Sequence, residues 1–152
     1  MNQNTDFIPF ARPCLGVEEE EAVIQVIRSG WLTTGGVTKS FEEEFARFCG
    51  SKYALAVNSA TAGLHLSLEA LGVGPGDWVI TTPYTFTSTA AVVKHLGADP
   101  LFVDIEEESF NISVQGIEEA LHKHVGLKRI RGIIPVHVAG HPCRMDNLMS
   151  LA

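Results

Sequence analysis

The sequence predicts an α/β fold of three layers, a mostly parallel sheet with helices on both faces. Three observations lead there. Short apolar runs alternate with segments of helical periodicity along most of the chain. The apolar runs lack the in-out polar alternation of a half-solvated sheet, so both their faces must be covered. With 152 residues, 45% of them hydrophobic, the chain can build one domain with a true core.

The elements follow in order. "GVEEEEAVIQVIRSG" (16–30) reads as a helix: Val17, Ala22, Val23, Val26 and Ile27 form an apolar stripe, acids crowd the first turns, and Gly30 stops it. "KSFEEEFARFCG" (39–50) repeats the design, with Phe41, Phe45 and Phe48 on one face and Gly50 as the stop. "YALAVN" (53–58) reads as a short buried strand and "TAGLHLSLEALG" (61–72) as a helix. The turn "GVGPGD" leads to strand 78–82, followed by helix 87–97, strand 100–105 and helix 113–124. A further strand lies within 130–138, and "MDNLMSLA" (145–152) begins a helix with Asp146 as its expected cap. An alternating pattern rarely stops one turn into a helix, so the end at Ala152 reads as a cut. No repeat, low-complexity tract or interdomain linker interrupts the series.

Ligands of such folds gather beyond the carboxyl ends of strands. Three stretches lie there: residues 58–63, "TPYTFTS" (82–88) and "HVAGHPC" (137–143). The first places Ser59, Ala60 and Thr61 at a helix start, where unpaired N–H groups and a partial positive charge favour an anion. An ordinary N-cap by Ser59 or Thr61 accounts for the same residues. Tyr84 and Phe86 suit either core packing or stacking on a planar ligand. His137, His141 and Cys143 resemble a ligand set, but Gly140 and Pro142 break any helix that would align the histidines, and no companion cysteine pair exists; no metal site is expected. The G-x-G-x-G of 72–76 precedes a strand instead of following one, which argues against a dinucleotide site and hence against an oxidoreductase.

Bulk properties narrow the partners. The net charge of −7 opposes nucleic acid, and the basic run Lys128–Arg131 is short enough to be a solvated strand start. Three scattered cysteines suit reduced thiols in the cytoplasm. No signal-peptide pattern opens the chain, and no apolar run spans a bilayer. Asn111-Ile112-Ser113 is formally a glycosylation acceptor, which without a secretion signal carries no weight.

Four stretches together resemble the DegT/DnrJ/EryC1/StrS family of sugar aminotransferases: "SGWLTTGGVTKSFEEEFARFCG" (29–50), "AVNSATAGLHLSLEALGVGPGDWVITTPYTFTSTAAVV" (56–93), "FVDIEEESFNI" (102–112) and "IPVHVAGHPCRMD" (134–146). The resemblance implies pyridoxal phosphate as cofactor and the large domain of fold-type I pyridoxal phosphate enzymes as fold. Residues 1–152 would form the N-terminal portion of that domain, with its remainder and the small domain absent. It implies that Ser59, Ala60 and Thr61 hold the cofactor phosphate, that Phe86 stacks on its ring, and that Thr33, Thr34 and Gly35 lie near substrate. "TTGG" (33–36) carries Gly36 where the family usually has proline.

The implied reaction transfers an amino group, usually from glutamate, to a keto sugar on a nucleotide, in a homodimer. Such chemistry serves polysaccharide biosynthesis. The Schiff-base lysine and the carboxylate that pairs with the pyridine nitrogen would lie beyond Ala152. Lys39, Lys52, Lys94, Lys123 and Lys128 do not match the lysine motif, and Asp104 belongs to the earlier "FVDI" match. The 152 residues alone are therefore expected to be inactive. The alternative is a freestanding, non-catalytic module that binds a phosphorylated ligand.

Overall fold

The computed structural model describes Pro9 and residues 11–124 and 126–152. The opening decapeptide, Pro9 apart, lies outside them, and with it the reading on a signal peptide. The chain divides into two compact units, one ending at Ala56 and the other running Val57–Ala152. Nothing in the composition marks that boundary.

The first unit contains α1 (Val17–Ser29) and α2 (Gly36–Cys49). Both end where glycine was expected to stop them, with Gly30 at φ 71° and Gly50 at φ 67°, the left-handed conformation that side-chain-bearing residues resist. At the start of α1, the Gly16 N–H donates to the Glu19 carboxylate at 2.7 Å, which holds that carboxyl below its ordinary range. Helix α2 begins three residues earlier than the sequence pattern predicts. Gly36, Val37 and Thr38 are poor helix formers, but Gly35 is extended and its carbonyl accepts the Lys39 N–H at 3.0 Å, closing a first turn.

The strand expected at 53–58 does not form. A strand needs a neighbour, and none of the described residues pairs with this segment. Its Ala56 N–H donates instead to the Glu42 carboxylate of α2 at 2.8 Å.

The second unit is α/β. After α3 (Ala60–Ala70) come β1 (Asp77–Thr81), α4 (Ser88–His95), β2 (Asp99–Phe102), α5 (Val114–Lys123), β3 (Arg129–Ile133) and α6 (Met145–Leu151). The three strands form a parallel sheet in the order β2-β1-β3, with Ile80 opposite both Leu101 and Ile133. Successive residues of β1 face opposite sides. Ile80 joins Val103, Ile112, Ile117, Cys143 and Leu148 in one core, and so meets α5 and α6. Val79 joins Leu68, Val92, Val93 and Ala98 in the other, and so meets α3 and α4. The absence of polar alternation is thereby explained.

Other boundaries differ from expectation as well. Strand β2 ends at Phe102, three residues short of Ile105, because the chain turns into a loop closed by the antiparallel Ile105–Ile112 bridge. Helix α4 closes two residues before Gly97. Asp146 is not the cap of α6: Arg144 occupies that position without a side-chain bond, and Asp146 sits in the first turn, where its charge still suits the helix start.

The amino end of the sheet is fastened by ion pairs. The buried Asp77 accepts from Arg129 Nε at 2.8 Å and from the Gly74 N–H at 3.0 Å, which fixes the "GVGPGD" turn. Asp99 accepts from Lys94 at 2.7 Å and from Lys128 at 2.6 Å. The basic run Lys128–Arg131 is thus used locally, Arg131 Nε donating to the Leu71 carbonyl at 2.9 Å. Lys128 and Lys94 hold the Asp99 carboxyl at about 2, against an ordinary 3.8. A depressed carboxylate stabilises the fold above its unfolded value and loses that contribution as pH falls through the folded one. The stability difference between wild type and Asp99→Asn is therefore expected to be present at pH 5 and to vanish toward pH 2 in acid-unfolding curves; a pH-independent difference would refute the ion-pair origin.

Candidate functional site

Helix α3 starts from an extended Ser59 (φ −162°, ψ 156°) whose Oγ accepts the Ala62 N–H at 3.2 Å. The Ser59 carbonyl accepts the Gly63 N–H at 3.1 Å. Ser59 is thus an N-cap, yet capping satisfies only part of the helix end. The N–H groups of Ala60 and Thr61 have no partner among the described residues. The side chains around them are a methyl, a hydroxyl and the hydrogen of Gly63, so a small anion has access. The capping and anion readings are compatible.

Helix α3 ends in the turn that feeds the amino end of β1, and it packs on the sheet through Leu68. It therefore runs back along the strand, and its start lies toward the carboxyl edge. Helix α4 begins at that edge too, after the 82–88 loop, and packs against α3 through Val92 and Val93. Within the loop, Thr82 Oγ1 accepts the Tyr84 N–H at 3.2 Å, and the Thr85 and Thr89 hydroxyls bond at 2.8 Å. The Phe86 side chain emerges between them with 79% of its surface exposed. It fills no core among the described residues, which leaves its ring free to stack. Tyr84 is engaged elsewhere, against Phe110 at 5.7 Å between ring centroids.

The "HVAGHPC" stretch forms no metal cluster. The His137 Nδ1 accepts the Cys143 N–H at 3.1 Å, and the buried Cys143 thiol donates to the Val136 carbonyl at 3.2 Å. Burial pushes that thiol up. Among the described residues no group of three His, Cys, Asp or Glu side chains could hold a metal ion. What sequence reasoning missed is Asn111, which appeared only as a formal glycosylation acceptor. Its side chain is buried and bonds to the 137–143 loop, a partnership no local pattern announces.

Thr33, Thr34 and Gly35 belong to the first unit, in the loop between α1 and α2. The loop is fixed locally. The Trp31 N–H donates to Ser29 Oγ at 3.1 Å, and its indole Nε1–H donates to the Thr34 carbonyl at 3.1 Å. A Cβ on Gly35 would collide with that indole, so only glycine fits. Trp31, Thr33, Thr34 and Thr38 line an open cavity of about 630 Å³.

A family model described as the DegT/DnrJ/EryC1/StrS aminotransferase family matches residues 13–152. The spore coat polysaccharide biosynthesis protein SpsC of Bacillus subtilis is 43% identical over 152 residues, 100% of this chain and 38% of its own length. Among solved structures, an aminotransferase from Psychrobacter cryohalolentis superposes with a TM-score of 0.84 at 39% identity, covering 95% of this chain and 36% of that one. The putative sugar aminotransferase Spr1654 of Streptococcus pneumoniae, in its PLP-form, does so with a TM-score of 0.83 at 37% identity, covering 95% and 36%. The chain spans little more than a third of the length of these relatives.

Gly36 is the first residue of α2, the position where proline is best tolerated, and Gly35 before it is extended, as a pre-proline residue should be. Its N–H has no partner among the described residues. Gly36→Pro is expected to stabilise the unit by about 0.4–1 kcal/mol through the unfolded chain. Urea unfolding measures this, and a destabilised variant would show that α2 does not start there.

Proposed function

Because the chain belongs to the DegT/DnrJ/EryC1/StrS aminotransferase family, we propose that it is the N-terminal portion of the cofactor-binding domain of a pyridoxal-phosphate-dependent sugar aminotransferase. Its substrate is a nucleotide-linked keto sugar and its amino donor is glutamate. The assembled enzyme is a cytoplasmic homodimer. The observation that carries this reading is the pair of unpartnered N–H groups at Ala60 and Thr61, together with the exposed Phe86 ring on the loop before α4.

These residues fit the cofactor. A phosphate at the start of α3 takes the two N–H groups and the Thr61 hydroxyl, and the helix dipole favours its charge. Phe86 offers a flat face to the pyridine, held from a loop in which the Thr85 hydroxyl is paired with that of Thr89. Bound there, pyridoxal phosphate supplies an electron sink for amino transfer. Thr33, Thr34 and Gly35 contribute substrate contacts from the cavity beside Trp31. Two of the lysines in this sequence, Lys94 and Lys128, are engaged with Asp99 at the amino end of the sheet, a poor place to reach the cofactor.

Two experiments test the proposal. Titration with pyridoxal phosphate, followed by absorbance, should show binding that Ala60→Pro weakens about tenfold or more by removing one N–H donor to a charged group, without loss of thermal stability, since proline suits a first helical position. Phe86→Ala should weaken binding as well, while costing far less than the ~3–5 kcal/mol of a core phenylalanine. Unchanged affinity in both variants would remove the site. The second experiment supplies the chain with pyridoxal phosphate, glutamate and a keto-sugar nucleotide. No sustained turnover is expected from these 152 residues; sustained turnover would show that the lysine is already among them.

A further inference from the structure

Asn111 is 4% exposed, and its side chain makes three hydrogen bonds to a loop some thirty positions away. Its Nδ2 donates to the His141 carbonyl at 3.1 Å and to the Pro142 carbonyl at 3.2 Å, and its Oδ1 accepts the Val138 N–H at 3.0 Å. One side chain therefore grips both ends of the 138–142 turn. The turn is strained, with Ala139 at φ 51°, and so is the residue that delivers the clamp, Phe110 at φ 57°. Left-handed backbone at residues with a Cβ persists only where surrounding contacts over-determine it.

The clamp has a chemical consequence at His137. With the turn closed, the Cys143 N–H reaches His137 Nδ1 at 3.1 Å. A nitrogen that accepts from an amide N–H carries no proton, so the imidazole proton sits on Nε2. That Nε2–H has no partner among the described residues, and His137 is exposed. Its position follows from the sheet. The Ile134 N–H donates to the Ile80 carbonyl at 2.8 Å, and Thr81 Oγ1 donates to the Ile134 carbonyl at 3.1 Å. His137 therefore lies three residues beyond that pairing in the loop after β3, as Tyr84 lies three beyond Thr81 in the loop after β1. The loops carrying His137 and Phe86 share the carboxyl edge.

We propose that His137 is a ligand-contacting residue whose Nε2–H donates to an oxyanion, and that Asn111 is the positioning residue that holds it there. The oxyanion is the phosphate of the cofactor or the carboxylate of the amino-acid donor. The ligand assignment rests on the reading that pyridoxal phosphate occupies this edge, whereas the positioning role does not.

Nitrogen NMR on the full chain tests both. Without ligand, His137 should show the Nε2–H tautomer, and Asn111→Ala should mix the two tautomers. Where alanine does not fold, Asn111→Asp, which keeps an acceptor for Val138 but no donor for the two carbonyls, takes its place. An unchanged tautomer in a folded variant overturns the positioning role. Inorganic phosphate and glutamate are then titrated separately. A shift at His137 Nε2 with phosphate identifies the cofactor's phosphate, a shift with glutamate identifies the donor's carboxylate, and a shift with neither overturns the contact. His137→Leu should weaken the effective anion about ten- to a hundredfold, as expected for a hydrogen bond to a charged group. His137→Gln, which retains an N–H donor, should recover most of that loss; equal losses in both would also overturn the contact. Pyridoxal phosphate binding that depends on Phe86 but leaves His137 unmoved would reject this contact and keep the functional reading. Anion shifts at His137 without pyridoxal phosphate binding would do the reverse.

Discussion

Strand β1 is the constraint on which the second unit depends. It is hydrogen-bonded to a parallel neighbour on each edge and covered by helices on both faces. A strand enclosed on four sides communicates with solvent only at its ends. Its amino end is closed by Asp77, gripped by Arg129 and by the Gly74 amide. Only the carboxyl end remains, and there the 82–88 and 137–143 loops gather beside the start of α3. The candidate site lies at that end because the other directions around β1 are occupied.

Polar groups near that edge fall into two kinds. Asn111 is buried and its donors and acceptor are met, which a side-chain amide in a core requires. Its bonds tie the irregular 137–143 loop to the chain that follows β2. At the start of α3 the opposite holds: two amides are exposed and unmet, as helix geometry dictates, and nothing bulky shields them. Rigid satisfied groups around open unsatisfied ones make a preorganised place for an anion, because little ordering is left for binding to impose.

The first unit shows what short-range chemistry can achieve alone. Ser29, Trp31, Thr34 and Gly35 lie within seven residues, and two hydrogen bonds plus one close aromatic–glycine contact define their loop. The apolar stripes of α1 and α2 are equally plain in the sequence. In the structure Phe41 and Phe45 pack their rings at 5.7 Å, while Val23, Ile27 and Phe48 keep much of their surface exposed. Periodicity reveals which face is apolar, and contains no information about what meets it.

The same division runs through the whole chain. Helix stops at Gly30 and Gly50, the cap at Ser59, the turn before Asp77 and the two-sided burial of β1 were legible because each is a local rule of backbone conformation or side-chain spacing. The family, too, could be read from motifs in order. Tertiary structure alone decided that 53–58 is no strand, since pairing needs a neighbour that hydrophobicity does not supply. It decided that Phe86 is exposed while Tyr84 rests on Phe110, a choice two aromatics in one loop do not make by themselves. It also gave Asn111 its part, because the partners of a buried amide lie where the chain returns, and that return is set by α5 packing on the sheet and β3 pairing with β1 within it.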